Sequence, residues 1–93
     1  MIEIKLFVTQ TTPKVSRQFA NLQAGLAELT REDYRIDIVE VIHNPEEAYA
    51  HSIIATPTML RVQPLPERRI IGDLSDSKAL PTLLNGVESK REV

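Results

Sequence analysis

The chain has 93 residues, a formal net charge of −2 and no cysteine. A chain of this length forms one domain with a modest core, and its near-neutral charge argues against nucleic-acid binding, which needs a basic patch. The absence of cysteine excludes disulfides, Cys-ligated zinc and thiol chemistry. No apolar run reaches membrane-spanning length and the N-terminus lacks a signal-peptide pattern, so the sequence predicts a cytoplasmic protein.

The first half of the chain predicts a strand, a long helix and a second strand. Residues Ile2 to Val8 alternate with period two, with Ile2, Ile4, Leu6 and Val8 on one face. A polar loop follows, and Thr12 is a candidate N-cap for a helix that begins at Pro13 and runs to about Leu29. Its apolar positions are spaced by four, three, four and three residues: Val15, Phe19, Leu22, Leu26 and Leu29.

Residues Tyr34 to Ile42 predict the second strand. Near its end Val39 and Val41 are apolar as well as Ile38, which favours burial on both faces and hence a central parallel strand. Strand, helix and strand together form a βαβ unit with a right-handed crossover.

The second helix is predicted to start at Pro45, with Asn44 as its cap, and to run to about Ile53. Its packed side should carry Ala48, Tyr49 and Ser52–Ile53. The Thr56–Pro57 step then imposes extended geometry, because the proline ring crowds the helical conformation of the preceding residue. A third strand is expected from Thr58 to Val62.

Arg68 to Gly72 predicts a fourth strand that pairs with the third as an antiparallel hairpin. In the last segment Leu80, Leu83, Leu84 and Val87 have helical spacing. Pro81 would break a helix that starts at Ser75 or Asp76, so the helix either starts late, with Pro81 in its first turn, or kinks. The resulting order β-α-β-α-β-β-α is an α/β, thioredoxin-like plan.

The sequence offers no catalytic constellation. In thioredoxin-like enzymes the loop after the first strand holds a thiol pair, but here residues 9–13 contain only Thr, Gln and Pro. His43 and His51 lack metal-pair spacing and are expected at the surface. Glu46 and Glu47 suit the first turn of a helix. No enzyme activity, metal or cofactor is predicted, and these features indicate a small binding domain.

Several cations lie outside the apolar patterns. Arg17 is off the stripe of the first helix, Arg61 should alternate out of the third strand, and Arg68 and Arg69 begin the fourth. Such cations could face an acidic partner or form a solvated rim.

The run PLPERRIIGDLSD at 64–76 closely resembles the KaiB family of circadian-clock proteins, as do KLFV at 5–8, TP at 12–13, NP at 44–45 and IATPT at 54–58. The resemblance implies a non-catalytic protein that binds the ATPase ring of KaiC and modulates its phosphorylation rhythm and output signalling. Further partners implied are KaiA and output histidine kinases. The matching partner-binding positions are Phe7 (a family tyrosine), Arg17, Ser52 (usually lysine), Arg61 (lysine) and Arg69, and Pro57 should be cis.

Departures from the family define the alternatives. Arg35 and Asp37 replace a small residue and a lysine at the edge that meets KaiA, which argues against KaiA capture. The chain would then be a divergent paralogue. A KaiB-like sensor domain of a histidine kinase is the other alternative.

The resemblance also implies an alternative fold, in which the C-terminal half takes a β-α-α-β order in a tetramer. Leu83 replaces a family glycine and favours helix, so the thioredoxin-like form and a mainly monomeric protein are expected. The predicted domain is 1–88, with 89–93 a charged, disordered tail.

Overall fold

The computed structural model describes residues 1–72 and 79–86. In chain order its elements are β1 (Ile2–Val8), α1 (Pro13–Leu29), β2 (Tyr34–Glu40), α2 (Pro45–Ala50), β3 (Thr58–Gln63), β4 (Arg68–Ile71) and α3 (Ala79–Leu83). The predicted β-α-β-α-β-β-α order is confirmed. Within these two ranges, no helix has the length and apolar character needed to cross a membrane.

The four strands form one sheet in the order β2-β1-β3-β4. β1 pairs in parallel with β2 and antiparallel with β3, and β3 and β4 form the predicted antiparallel hairpin. β2 therefore lies at an edge, and the expectation of a central position for it is wrong. Near its end Val39 is buried and Ile38 half-buried, and no other described strand pairs with its outer edge.

Strand alternation divides the core into two layers. On one side of the sheet, α1 and α3 cover the apolar face of β1 in a cluster that includes Ile2, Ile4, Leu26, Met59 and Leu83. On the other side, α2 covers a smaller cluster of buried residues: Phe7, Val39, Ala48 and Leu60. Because α2 has only six residues, it covers only part of its face of the sheet.

The termini of α1 follow local chemistry. Thr12 is extended and its hydroxyl accepts a hydrogen bond from the Val15 N–H at 3.2 Å, which confirms the predicted N-cap. At the other end the Thr30 N–H donates to the Leu26 carbonyl at 3.0 Å and the chain becomes extended.

α2 is shorter than predicted and is capped differently. It ends at Ala50 because Ser52 adopts a left-handed conformation, with φ 55°, that cannot continue a right-handed helix. Asn44 makes no side-chain cap; its Nδ2 instead donates to the Glu40 carbonyl at 3.0 Å, which closes the turn after β2.

Pro81 is the third residue of α3 as described. Residues 73–78 lie outside the described residues, so the late start and the kink both stay predictions. The earlier starts at Ser75 or Asp76, the position of Val87 and the predicted tail at 89–93 lie outside the described residues.

The contact between α1 and α3 depends on Gly25, where an added Cβ would overlap Leu80 Cδ1. Gly25→Ala should therefore raise the free energy of unfolding by less than the helix-propensity gain of about 1 kcal/mol. Part of that gain is offset because the terminal methyl group of Leu80 must move aside. Urea unfolding measures the change.

Leu80→Ala supplies the control, because it removes the overlapping atoms. In that background Gly25→Ala should stabilise the protein by up to about 1 kcal/mol. Equal effects in both backgrounds would contradict the close contact.

Candidate interaction face

The corner that would hold thiols in a redox enzyme is built here from hydroxyls. Thr9 follows β1 and Thr56 precedes β3, and their Oγ1 atoms lie 2.7 Å apart. The Thr56–Pro57 peptide is cis, as predicted, and the Gln63–Pro64 and Leu65–Pro66 peptides are cis as well. Among the described residues no group of three His, Asp or Glu side chains is placed to hold a metal ion.

Phe7, one of the predicted partner-binding positions, is fully buried and offers no surface to a partner. It lies on the face of β1 opposite Ile2, Ile4 and Leu6, where α2 covers it. Its ring centroid is 5.9 Å from that of His51, which follows α2. Phe7 therefore supports the underside of α2 and the turn that follows it.

Arg61 is also buried, with 1% of its surface exposed, and the expectation that it points to solvent is wrong. Leu60 takes the α2 side of β3, so Arg61 points to the α3 side, where α3 closes over it. Its guanidinium donates to three carbonyls: Leu83 at 2.8 Å, Asn85 at 2.7 Å and Pro66 at 2.9 Å. One side chain thus joins β3, the β3–β4 connection and the end of α3.

This guanidinium lies in an unfavourable electrostatic position. Burial lowers the pKa of Arg61, and the charge of Arg68, its partner across the β3–β4 ladder, lowers it further. The Nε atoms of both arginines are buried and have no hydrogen-bond partner within the described structure. The carbonyls at the C-terminal end of α3 offset part of this cost, because the helix dipole is negative there.

Arg69 and Ser52 are brought together at the surface. Arg69 Nη2 donates to the His51 carbonyl at 2.9 Å and Nη1 to the Ser52 carbonyl at 3.1 Å. His51 Nδ1 lies 3.9 Å from a Glu67 oxygen. Half-buried beside Phe7, His51 is less exposed than expected, whereas His43 is at the surface as predicted.

Exposed apolar side chains flank this pair along the chain and on β4. Tyr49 is 87% exposed, Ile54 85% and Ile71 51%, and Ile71 shares the outward face of β4 with Arg69. We call the surface formed by Tyr49, Ser52, Ile54, Arg69 and Ile71 the α2 face.

Sequence reasoning missed the exposed apolar residues of the α2 face. Tyr49 and Ser52 were expected on the packed side of α2, but only Ala48 is buried there and Ile53 is half-buried. The shortness of α2 is the reason, since one turn and a half leaves a single row of inward positions. A signal was available: consecutive helical residues point about 100° apart, so Ala48 and Tyr49 cannot both face the core.

Arg17 does not join the α2 face. It is exposed on α1, and α1 packs on the opposite side of the sheet. A partner that contacts both Arg17 and Arg69 would have to reach around the sheet.

A family model described as the KaiB domain matches residues 5–85. The chain belongs to the KaiB family. Two curated relatives are circadian clock oscillator proteins KaiB, each 42% identical over 73 residues that make up 78% of this chain. The match spans 61% of the relative from Prochlorococcus marinus (strain MIT 9313) and 72% of that from Synechococcus elongatus (strain PCC 7942).

Solved structures support the same fold for this KaiB-family chain. The N-terminal domain of Synechococcus elongatus SasA superposes with a TM-score of 0.75 at 22% identity, covering 94% of this chain and 86% of that domain. A malarial protein superposes with a TM-score of 0.68 at 14% identity, covering 94% and 97% respectively. The thioredoxin-like α/β architecture is thereby confirmed.

Arg61→Ala should lower the free energy of unfolding by about 2–4 kcal/mol, because three carbonyls, one of them buried, lose their donor and a cavity remains. Arg17→Ala is the matched control: it truncates an exposed arginine and should change stability by less than about 0.5 kcal/mol. Chemical denaturation of the two variants measures the difference. Equal stability of both variants would show that the Arg61 contacts contribute nothing.

Proposed function

We propose that this chain is a non-catalytic clock protein that binds the ATPase ring of a KaiC-type partner and thereby modulates its phosphorylation rhythm and output signalling. The observation that carries the proposal is the match of the KaiB domain model to residues 5–85, together with 42% identity to proteins named circadian clock oscillator protein KaiB. The absence of cysteine also removes thiol redox chemistry as a competing function.

The α2 face is the surface we assign to the KaiC-type partner. Interfaces concentrate their binding energy in a few aromatic and arginine side chains surrounded by groups that exclude water. Tyr49 and Ile54 supply exposed apolar area, and Arg69 supplies a cation whose orientation is fixed by the His51 and Ser52 carbonyls. Such a pre-oriented cation loses less side-chain entropy on binding than a free one.

The other predicted partner positions take different roles in this proposal. Phe7 and Arg61 act indirectly, because both are buried: Phe7 packs against α2, and Arg61 binds a carbonyl of α3 and holds that helix against the sheet. Arg17 would make a separate contact on the α1 side. Release of α3 in the alternative fold would expose Arg61, so the alternative form would present a different set of cations.

KaiA capture is not part of the proposed function. Arg35 and Asp37 lie on β2, at the open edge of the sheet, and form an ion pair with Nε and Oδ2 3.1 Å apart. The family resemblance implies a small residue and a lysine at these two positions of a KaiA-binding edge. The charges of Arg35 and Asp37 differ from that pattern, and a mismatched charge at an interface opposes binding. A divergent paralogue that engages KaiC without KaiA fits these residues.

A second candidate function is the sensor domain of a histidine kinase. The likeness in fold to the N-terminal domain of SasA favours it. The identity of 22% to that domain, against 42% to the KaiB proteins, argues for the first candidate. The gene itself decides: a kinase domain encoded after residue 93 in the same reading frame would replace the first proposal.

The α2 face predicts which substitutions weaken binding to the KaiC-type ATPase encoded in the same genome. Tyr49→Ala should raise Kd about thirtyfold, the loss of about 2 kcal/mol typical of a truncated central aromatic. Arg69→Glu should weaken binding at least as much, because it reverses a charge and removes two anchoring hydrogen bonds. Isothermal titration calorimetry measures both.

Glu28→Lys is the control, because it reverses an exposed charge on α1, behind the sheet and three turns away from Arg17. It should leave Kd within about twofold, as for charges outside an interface core. If Tyr49→Ala and Arg69→Glu bind as the wild type does, the α2 face is the wrong surface. If the wild type binds no KaiC-type ATPase, the proposed function itself is wrong.

A further inference from the structure

The open edge of β2 has the features of a self-complementary surface. β2 is a seven-residue edge strand without proline, and its pairing with β1 runs from Ile2–Tyr34 to Val8–Glu40 without a break. Edge strands of this length expose unpaired backbone groups that other strands can bind. We propose that this edge pairs with the same edge of a second copy of the chain.

The ladder to β1 determines which backbone groups face outward. The Ile2 N–H donates to the Asp33 carbonyl at 2.9 Å, and the Val41 N–H donates to the Val8 carbonyl at 2.8 Å. In a parallel pair, residues that bond to the neighbour alternate with residues whose groups point away. The N–H and C=O groups of Tyr34, Ile36 and Ile38 therefore point to the open edge.

An antiparallel partner must align its own outward residues with these. When Ile36 pairs with Ile36 of the second copy, Tyr34 pairs with Ile38, and each such pair exchanges both hydrogen bonds. A two-fold axis then passes through Ile36. The two half-buried isoleucines and Tyr34 also meet across the new interface, which covers apolar side chains that the edge leaves partly exposed.

Charge selects this register from the others. The Ile36-centred pairing places Arg35 opposite Asp37 of the second copy at a non-hydrogen-bonded pair, where side chains lie closest. A shift by two residues in either direction would place Arg35 opposite Arg35, or Asp37 opposite Asp37. Only the central register combines complete backbone bonding with opposite charges.

The charge pattern continues into the neighbouring strand. On β1, Glu3 is the cross-strand partner of Arg35, and Lys5 is the partner of Asp37. The row crosses β1 and β2 of one copy and then β2 and β1 of the second copy. It would read Glu3 and Arg35 from the first copy, then Asp37 and Lys5 from the second, with charges that alternate in sign at every step. Charges usually protect an edge strand against pairing, but here their order makes the edge complementary to its own copy.

This inference does not rest on the proposed clock function, because it uses only the β2 edge. With this dimer, the predicted monomer would dominate only at low protein concentration. The dimer would be a continuous eight-stranded sheet, twice the four strands of one copy.

Sedimentation velocity of the full chain, from micromolar to millimolar concentration, tests the association. The mass should rise from 10.5 kDa towards twice that value, and added salt should weaken the dimer. A mass of 10.5 kDa at every concentration overturns the proposal.

Charge swaps test the register. Arg35→Asp and Asp37→Arg each place like charges across the axis and should weaken association at least about tenfold. The double swap, Arg35→Asp with Asp37→Arg, restores opposite charges across the axis but sets like charges beside Glu3 and Lys5 of β1, so it should recover part of the association that the single variants lose. An equimolar mixture of the two single variants should form a mixed dimer, because each is complementary to the other. Single variants that self-associate like the wild type, or a mixture that stays monomeric, overturn the register.

The two side chains are 67% and 44% exposed, so the swaps should preserve the fold, which circular dichroism checks. Amide hydrogen exchange gives a second readout. The amides of Tyr34, Ile36 and Ile38 should gain protection as concentration rises, whereas those of Arg35 and Asp37 should already be protected in the monomer. Unchanged exchange at Ile36 in a sample that dimerises would place the interface elsewhere.

Discussion

The position of β1 at the centre of the sheet is the constraint on which the other features depend. It is the only described strand that pairs in parallel on one side and antiparallel on the other. Its side chains alternate between two layers that must both be covered, Ile2, Ile4, Leu6 and Val8 on one side and Phe7 on the other. The long α1 covers the first layer, and the short α2 is enough for the single aromatic in the second.

The unequal size of these layers explains where the charged residues lie. α2 covers Phe7 and Leu60. The neighbouring positions on the same side of the sheet are charged: Arg35 is exposed, and Glu3 and Asp37 are half-buried. Lys5 lies between, and its ammonium forms an ion pair with Glu47 of α2. Charged side chains are tolerated there because, in the part of the chain that the structure describes, no helix buries them fully. The short helix therefore produces both the exposed apolar α2 face and the charged strip beside it.

The strands, the long helix and the hairpin could be predicted from the sequence, because residues close together in the chain determine each of them. The period-two alternation of β1, the Thr12–Pro13 helix start and the Thr56–Pro57 step all agree with the structure. Alternation tells which residues share a face, but not which face is covered. That missing information explains why Arg61, expected to point out of the third strand, is buried, and why β2, apolar on both faces near its end, lies at an edge.

Arg61 illustrates the same limit in energetic terms. A cation in the middle of a strand is normally expected in water, because burial without a counter-ion is costly. Here the cost is offset by the nearby carbonyl of Pro66 and by two carbonyls at the end of α3, which is 22 or more residues further along the chain. Local pattern cannot predict such a site, since its partners become available only when α3 packs against the sheet. Arg61 therefore makes the position of α3 depend on the β3–β4 connection.

The two surfaces assigned above are compatible in one molecule. The α2 face lies beside β4, whereas the proposed self-pairing edge is β2, at the opposite end of the strand order. A two-fold axis perpendicular to the sheet would place both α2 faces of a dimer on the same side. Two faces in one assembly would bind a ring of repeated sites with a higher effective concentration than one face alone. Self-pairing would also occupy the edge at which the family resemblance places KaiA, so the same two charges, Arg35 and Asp37, would favour a second copy over KaiA.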